Sequence, residues 1–124
     1  MHTVEEQIKS LMQAWEQDTP ADPCIPDKET MILRINLIAE EFSEFLIAYK
    51  EQNLVEMADG LVDLLVVTVG ACVAMGLPLD TLWNEVLRSN LSKIQLDGKV
   101  LKDASGKVQK PDGYIPPNLK QFLT

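Results

Sequence analysis

Apolar residues recur at helical spacing in four successive stretches of the chain. Val4, Ile8, Leu11, Met12 and Trp15 share one face of a first predicted helix, and Thr3 with Glu6 forms a capping box at its start. Three prolines between Thr19 and Pro26 then mark an extended linker. A second helix is predicted from about Lys28 to Lys50, with a wide apolar stripe of Ile32, Ile35, Leu37, Ile38, Phe42, Phe45, Leu46 and Tyr49. Gln52 and Asn53 leave room only for a short turn, so the third helix should run antiparallel to the second. That helix, Leu54 to Met75, is apolar nearly all round and is expected to be central and buried. Gly76 fits its C-terminal cap, and Pro78 fits the first turn of a fourth helix. The fourth helix should reach about Gln95 and bury Leu82, Val86, Leu87, Leu91 and Ile94.

The pattern changes after Gln95. Asp97 to Lys110 predicts a small hairpin around Ala104-Ser105-Gly106. Gly113 to Pro117 reads as extended, and Leu119, Phe122 and Leu123 form a last apolar stub. The predicted fold is all-α: a four-helix bundle-like core with an irregular C-terminal tail. One domain is expected over residues 1–124, with the helical core at about 4–95 and the tail at about 96–124.

Charge narrows the function. The net charge of −8 does not suit DNA or RNA, which need basic patches. It still allows a small phosphate ligand, because a bound cation reverses the local sign. The first residues are polar and acidic, unlike a targeting segment. The longest apolar run, Leu64 to Leu79, is interrupted by Thr68, Gly70, Gly76 and Pro78 and is shorter than the ~20 residues of a membrane span. A cytoplasmic protein without membrane attachment is expected. Cys24 and Cys72 form no CxxC and are expected as reduced thiols.

The acidic residues of the second and third helices carry the chemistry. Glu41 and Glu44 share a helix face at the edge of the apolar stripe, with Glu40 beside them. Glu56, Asp59 and Asp63 are the charged residues of an otherwise apolar third helix, so they are expected to be buried with it. Two like charges at ~4 Å repel by about 4 kcal/mol at an effective dielectric of 20. Between Lys28 and Met75 only Lys28, Arg34 and Lys50 are basic. Hard divalent cations are the natural compensation, and all-oxygen ligation selects Mg²⁺ or Mn²⁺. Other chemistries are poorly served: His2 is the one histidine, and no glycine loop ends in GK[ST].

Glu40-Glu41-Phe42-Ser43-Glu44 followed by Glu56-Met57-Ala58-Asp59 resembles the EExxE…ExxD signature of the MazG-like all-α nucleoside triphosphate pyrophosphohydrolases. Arg88-Ser89-Asn90-Leu91-Ser92-Lys93 resembles the family's Asn-x-x-Lys phosphate segment, and Asp97 to Pro117 resembles the tail of its dimeric dUTPase-like subgroup. The resemblance implies Glu41, Glu44, Glu56 and Asp59 as ligands of two or three Mg²⁺ ions, with Mn²⁺ as a substitute. It implies Glu40 as the residue that positions or deprotonates water or joins a further metal, with Asp63 as support. Asn90 and Lys93 would hold phosphate oxygens, with Arg88 and Lys99 as further positive charges. Trp15, Met12, Asn84 and Tyr114 are candidates for contact with the base.

The expected reaction converts a (deoxy)nucleoside triphosphate to its monophosphate and pyrophosphate in a homodimer or homotetramer. Among bases, dGTP stands first because Trp15 beside the linker suits a large ring, and dUTP next. Two alternatives remain: a non-catalytic helical interaction module, and a phosphoribosyl-ATP pyrophosphohydrolase, against which the dUTPase-like tail argues.

Overall fold

Thr3, Asp27 and Asn53 set the starts of the first three helices in the computed structural model, which describes residues 2–124. These are α1 (Val4–Ala14), α2 (Lys28–Lys50) and α3 (Leu54–Ala74). The Thr3 hydroxyl accepts the Glu6 N–H at 3.1 Å, and the Glu6 carboxylate accepts the Thr3 N–H in return. The Asp27 carboxylate accepts the Thr30 N–H at 2.8 Å, and the Asn53 side chain accepts the Glu56 N–H at 3.1 Å. Each bond satisfies a donor that a helix N-terminus otherwise leaves orphaned.

The turn between α2 and α3 is as short as expected. Gln52 takes the left-handed conformation, and the Asn53 N–H returns to the Ala48 carbonyl. Gly60 of α3 lies on Phe45 of α2, and Gly70 lies on Arg34, so the two helices are antiparallel. At the far end of α3, Gly76 (φ 63°) donates to Val73 and Leu77 donates to Cys72, closing the helix. A Cβ on Gly76 would collide with the Asp22 carbonyl oxygen, so only glycine lets the linker close here. The linker is fixed at that point by the Cys24 N–H, which donates to the Met75 carbonyl. Ile8 and Met12 of α1 form the core with Val73 and Ala74 of α3, and Val66 and Val69 pack against it.

Burial departs from the expectation for α3. Its Leu61, Val62 and Leu65 are exposed, as are Ile32, Ile35, Phe42, Leu46 and Tyr49 of the α2 stripe. The physical reason is supply: within the first unit, α1 and α2 are the helices that pack against α3, and they cover one side of it. Leu54–Ala74 is also long and apolar enough to cross a membrane by length and composition. Its packing against α1 and α2 and its three acids describe a helix of a bundle instead.

The chain divides into two compact units, one ending at Leu79 and the other spanning Asp80–Thr124. The second holds α4 (Leu79–Leu91), the tail and a short α5 (Lys120–Leu123) at the expected apolar stub. Ser89 is buried, and its hydroxyl donates to the Ile115 carbonyl at 2.8 Å. The Ser92 hydroxyl accepts the Ile115 N–H at 2.9 Å and donates to Ser89's carbonyl. These bonds strap the extended Tyr114–Pro117 segment along α4. The helix stops at Leu91 rather than Gln95, where the Lys93 and Ile94 N–H groups turn back to carbonyls three residues earlier. Leu82 is buried, but Val86, Leu87, Leu91 and Ile94 are exposed, contrary to expectation. The expected hairpin is reduced to one antiparallel bridge, Lys102 with Val108. Its turn is held by the Asp103 carboxylate, which accepts the N–H groups of Ser105 and Lys107.

Candidate metal centre

Glu41 and Glu44 are one helical turn apart on α2, and Asp63 faces them from α3. Each offers a carboxylate oxygen, and the three oxygens lie within 4.8 Å of one another. The close approach of Gly60 to Phe45, a turn away, brings the helices near enough for the acids to meet. One oxygen of Glu41 is shielded from solvent and has no hydrogen-bond partner. Burial pushes the Glu41 carboxyl above the usual range, and the charges of Glu44, Asp63 and Glu40 push it further. Asp63 is raised in the same way, first by burial and then by Asp59 and Glu44. Five acids therefore act on one another, while the described residues form no ion pair to any of them. A divalent cation among the three oxygens would relieve that repulsion and satisfy the orphaned oxygen.

The grouping differs from the expected ligand set in two respects. Asp63, expected as support, stands inside the three-acid cluster. Asp59 adjoins it through Asp63, whereas Glu56 lies in the first turn of α3 and outside it. Glu56 and Asp59 are exposed in the chain, so their expected burial is corrected, for the reason that applies to α3 as a whole. Glu40 is exposed and contributes charge to Glu41 from the adjacent position.

Arg34 was not singled out by the sequence, yet it is 5% exposed. Its Nη2 donates to the Gln17 side-chain oxygen at 2.8 Å, and its Nε is buried without a partner. Among the described residues no carboxylate pairs with this buried guanidinium, and burial pulls its pKa below the ordinary value. A basic residue placed inside an apolar helical stripe was the available signal.

The remaining candidates divide between the units. In the first, Met12 is a core residue at 2% exposure, so it is packing rather than free surface, and Trp15 is 62% exposed. In the second, Arg88 is already engaged by Glu85 and by the Pro116 carbonyl. Asn84, Asn90 and Lys99 are exposed. Tyr114 is half-buried between the ammonium groups of Lys93 and Lys110, at 5.9 and 5.2 Å from its ring centre.

No curated protein matches the chain. Residues 8–90 match the family model of phosphoribosyl-ATP pyrophosphohydrolase, a stretch that includes every acid of the cluster and ends before Lys93 and the tail. The match spans more than half of the sequence, so the chain belongs to the phosphoribosyl-ATP pyrophosphohydrolase family, part of the MazG-like all-α superfamily, and is a nucleotide pyrophosphohydrolase.

Proposed function

We propose that the chain hydrolyses the α–β phosphoanhydride of a nucleoside triphosphate, with Mg²⁺ held by Glu41, Glu44 and Asp63. Asp59 and Glu56, on the same helix as Asp63, would supply the further carboxylates of the ligand set. The observation that supports this best is the cluster itself: three carboxylate oxygens within 4.8 Å and a shielded, partnerless oxygen on Glu41. The all-oxygen donor set fits Mg²⁺, with Mn²⁺ as a substitute. When bound, the metal neutralises the phosphates and makes a nearby water more acidic. Glu40 orients that water and takes its proton. The resemblance of Asn90 and Lys93 to the family's phosphate segment makes them the proposed phosphate-binding residues of the second unit, where Lys110 stands beside Tyr114.

The family match favours a second substrate, phosphoribosyl-ATP, which carries the same α–β bond. Exposed Glu56 and Asp59 are what a non-catalytic helical module would show, but such a module leaves the orphaned Glu41 oxygen unexplained. The test is incubation with Mg²⁺ and each common ribo- and deoxyribonucleoside triphosphate, with phosphoribosyl-ATP alongside, followed by product identification. Monophosphate and pyrophosphate are expected from at least one nucleoside triphosphate. Turnover of phosphoribosyl-ATP alone would transfer the assignment to the second substrate.

The working unit proposed is a homodimer or homotetramer. Exposed Leu61, Val62 and Leu65 on α3, with Ile32 and Ile35 on α2, are an apolar surface that a second copy would cover.

A further inference from the structure

The sequence contains three aspartate–glycine dipeptides, Asp59–Gly60, Asp97–Gly98 and Asp112–Gly113. Each sets a side-chain carboxyl next to a backbone nitrogen that no glycine side chain shields, the arrangement in which an aspartate can cyclise. By residue chemistry the three are equivalent, but their backbones are not. Gly60 lies inside α3, where its N–H belongs to the helical ladder and its Cα faces the Phe45 backbone. Gly98 closes a turn: its N–H donates to the Gln95 carbonyl at 2.8 Å, and the Asp97 carboxylate accepts the Lys99 N–H at 2.9 Å. Nucleophile and electrophile are both tied down there. Asp112 and Gly113 occupy instead the two central positions of a turn closed by the Tyr114 N–H on the Pro111 carbonyl at 3.0 Å. Both are exposed, and among the described residues the Gly113 N–H has no acceptor and the Asp112 carboxylate has no donor.

We propose that Asp112 is a site of covalent modification, at which aspartate converts to isoaspartate through a cyclic imide with Gly113. The Gly113 backbone nitrogen attacks the side-chain carboxyl carbon of Asp112. A carbon–nitrogen bond forms, a carbon–oxygen bond breaks, and the amide proton and carboxyl hydroxyl leave as one water. Water then adds to one of the two imide carbonyls and breaks one carbon–nitrogen bond. Opening at the side-chain carbonyl restores aspartate. Opening at the main-chain carbonyl leaves the chain running through the side-chain carbon, with a free carboxylate where the peptide carbonyl stood. No oxidant or other co-reactant is needed. Asp112 and Gly113 border a cavity of about 640 Å³, which leaves room for the ring. The product carries one extra methylene in the backbone directly before Tyr114, at the entry to the segment that Ser89 and Ser92 hold along α4. Its new carboxylate is the group that an isoaspartyl carboxyl methyltransferase recognises.

The full chain is held at neutral pH in heavy-oxygen water, either folded or unfolded in urea, and digested at intervals. Isoaspartate is located with an isoaspartyl carboxyl methyltransferase and a labelled methyl donor, and the incorporated heavy oxygen by mass analysis of the peptides. In the folded chain Asp112 should convert at least about tenfold faster than Asp97 and Asp59, and in urea the three rates should converge. Gly113→Ala should slow conversion at Asp112 by about tenfold or more. A Cβ at Gly113 meets nothing within 4 Å, and the residue does not take a positive φ, so this variant keeps the fold. Equal rates at Asp97 and Asp112 in the folded chain, faster conversion at Asp59 or Asp97, or no isoaspartate at Asp112 would each overturn the proposal. A preference for Asp112 that persists undiminished in urea would overturn it as well, because the selectivity would then lie in the flanking residues and not in the turns.

Discussion

Gly60 of α3 lies directly against the backbone of Phe45 on α2: a Cβ at Gly60 would stand 3.2 Å from the Phe45 Cα. Backbone cannot swing aside as a long side chain can, so this contact fixes how closely the two acid-bearing helices approach. Gly60→Ala gains about 1 kcal/mol of helix propensity and loses a comparable amount to crowding, so it should be nearly neutral. Gly60→Val adds bulk without that compensation and should destabilise the fold by roughly 2–3 kcal/mol. It should also weaken Mg²⁺ binding by separating Glu41 from Asp63. Urea unfolding and metal titration check both effects, and an unchanged Gly60→Val would show that the contact does not set the helix spacing.

Removing one charge from the cluster should have opposite effects on the metal-free and metal-bound protein. Glu41→Gln and Asp63→Asn relieve like-charge repulsion, so each should raise the melting temperature without metal. Each should lower Mg²⁺ affinity by about tenfold or more, in proportion to the lost ligand charge. Glu56→Gln, outside the cluster, should leave metal-free melting unchanged. Calorimetry with and without Mg²⁺ separates the three variants.

The same groups give a pH dependence. Glu41 and Asp63 have folded-state pKa values above their ordinary ones, so the folded state holds protons that the unfolded state releases. Without metal, stability should therefore rise as pH falls through their raised folded-state values toward the ordinary carboxylate range. Below the ordinary carboxylate range the trend should reverse, because Glu6, Asp27, Glu85 and Asp103 are held low by the hydrogen bonds they accept and lose them on protonation. Saturating Mg²⁺ should abolish the rise, since it occupies the charged form. A metal-free melting temperature that falls steadily from neutral pH, with no rise above the ordinary carboxylate range, would contradict this.

The strap of the second unit depends on Ser89. Ser89→Ala removes the bond to the Ile115 carbonyl and should cost about 1 kcal/mol. It should speed proteolytic cleavage between Asp97 and Tyr114 while leaving helical content unchanged. Equal cleavage rates would assign the strap to Ser92 and to Glu85, whose carboxylate accepts the Asn118 N–H.

Much of this was legible in the sequence because it is local. The Thr3–Glu6 capping box, the Gln52–Asn53 turn and the Gly76 cap follow from residue chemistry within a few positions, and the structure contains each of them. The pairing of Asp63 with Glu41 and Glu44 was not legible, because it depends on the register of two antiparallel helices. Spacing placed Glu56 and Asp59 on the same helix but could not say which acid faces α2. Burial of α3 was less legible for a related reason: apolar composition states what a helix can bury, not how much of it α1 and α2 cover within the first unit. The burial of Arg34 was not legible because a lone arginine in a helix is ordinarily a surface charge, and only the packing of Gly70 and Gln17 shows it enclosed.

The most direct test of the reaction is hydrolysis in heavy-oxygen water with Mg²⁺, followed by mass analysis of both products. Attack on the α phosphorus places the heavy oxygen in the nucleoside monophosphate and none in pyrophosphate, and Glu41→Gln should slow this turnover by about a hundredfold or more. Heavy oxygen in the pyrophosphate, or a diphosphate released with orthophosphate, would contradict attack at the α position. Undiminished turnover in Glu41→Gln would remove the reaction from the acidic cluster.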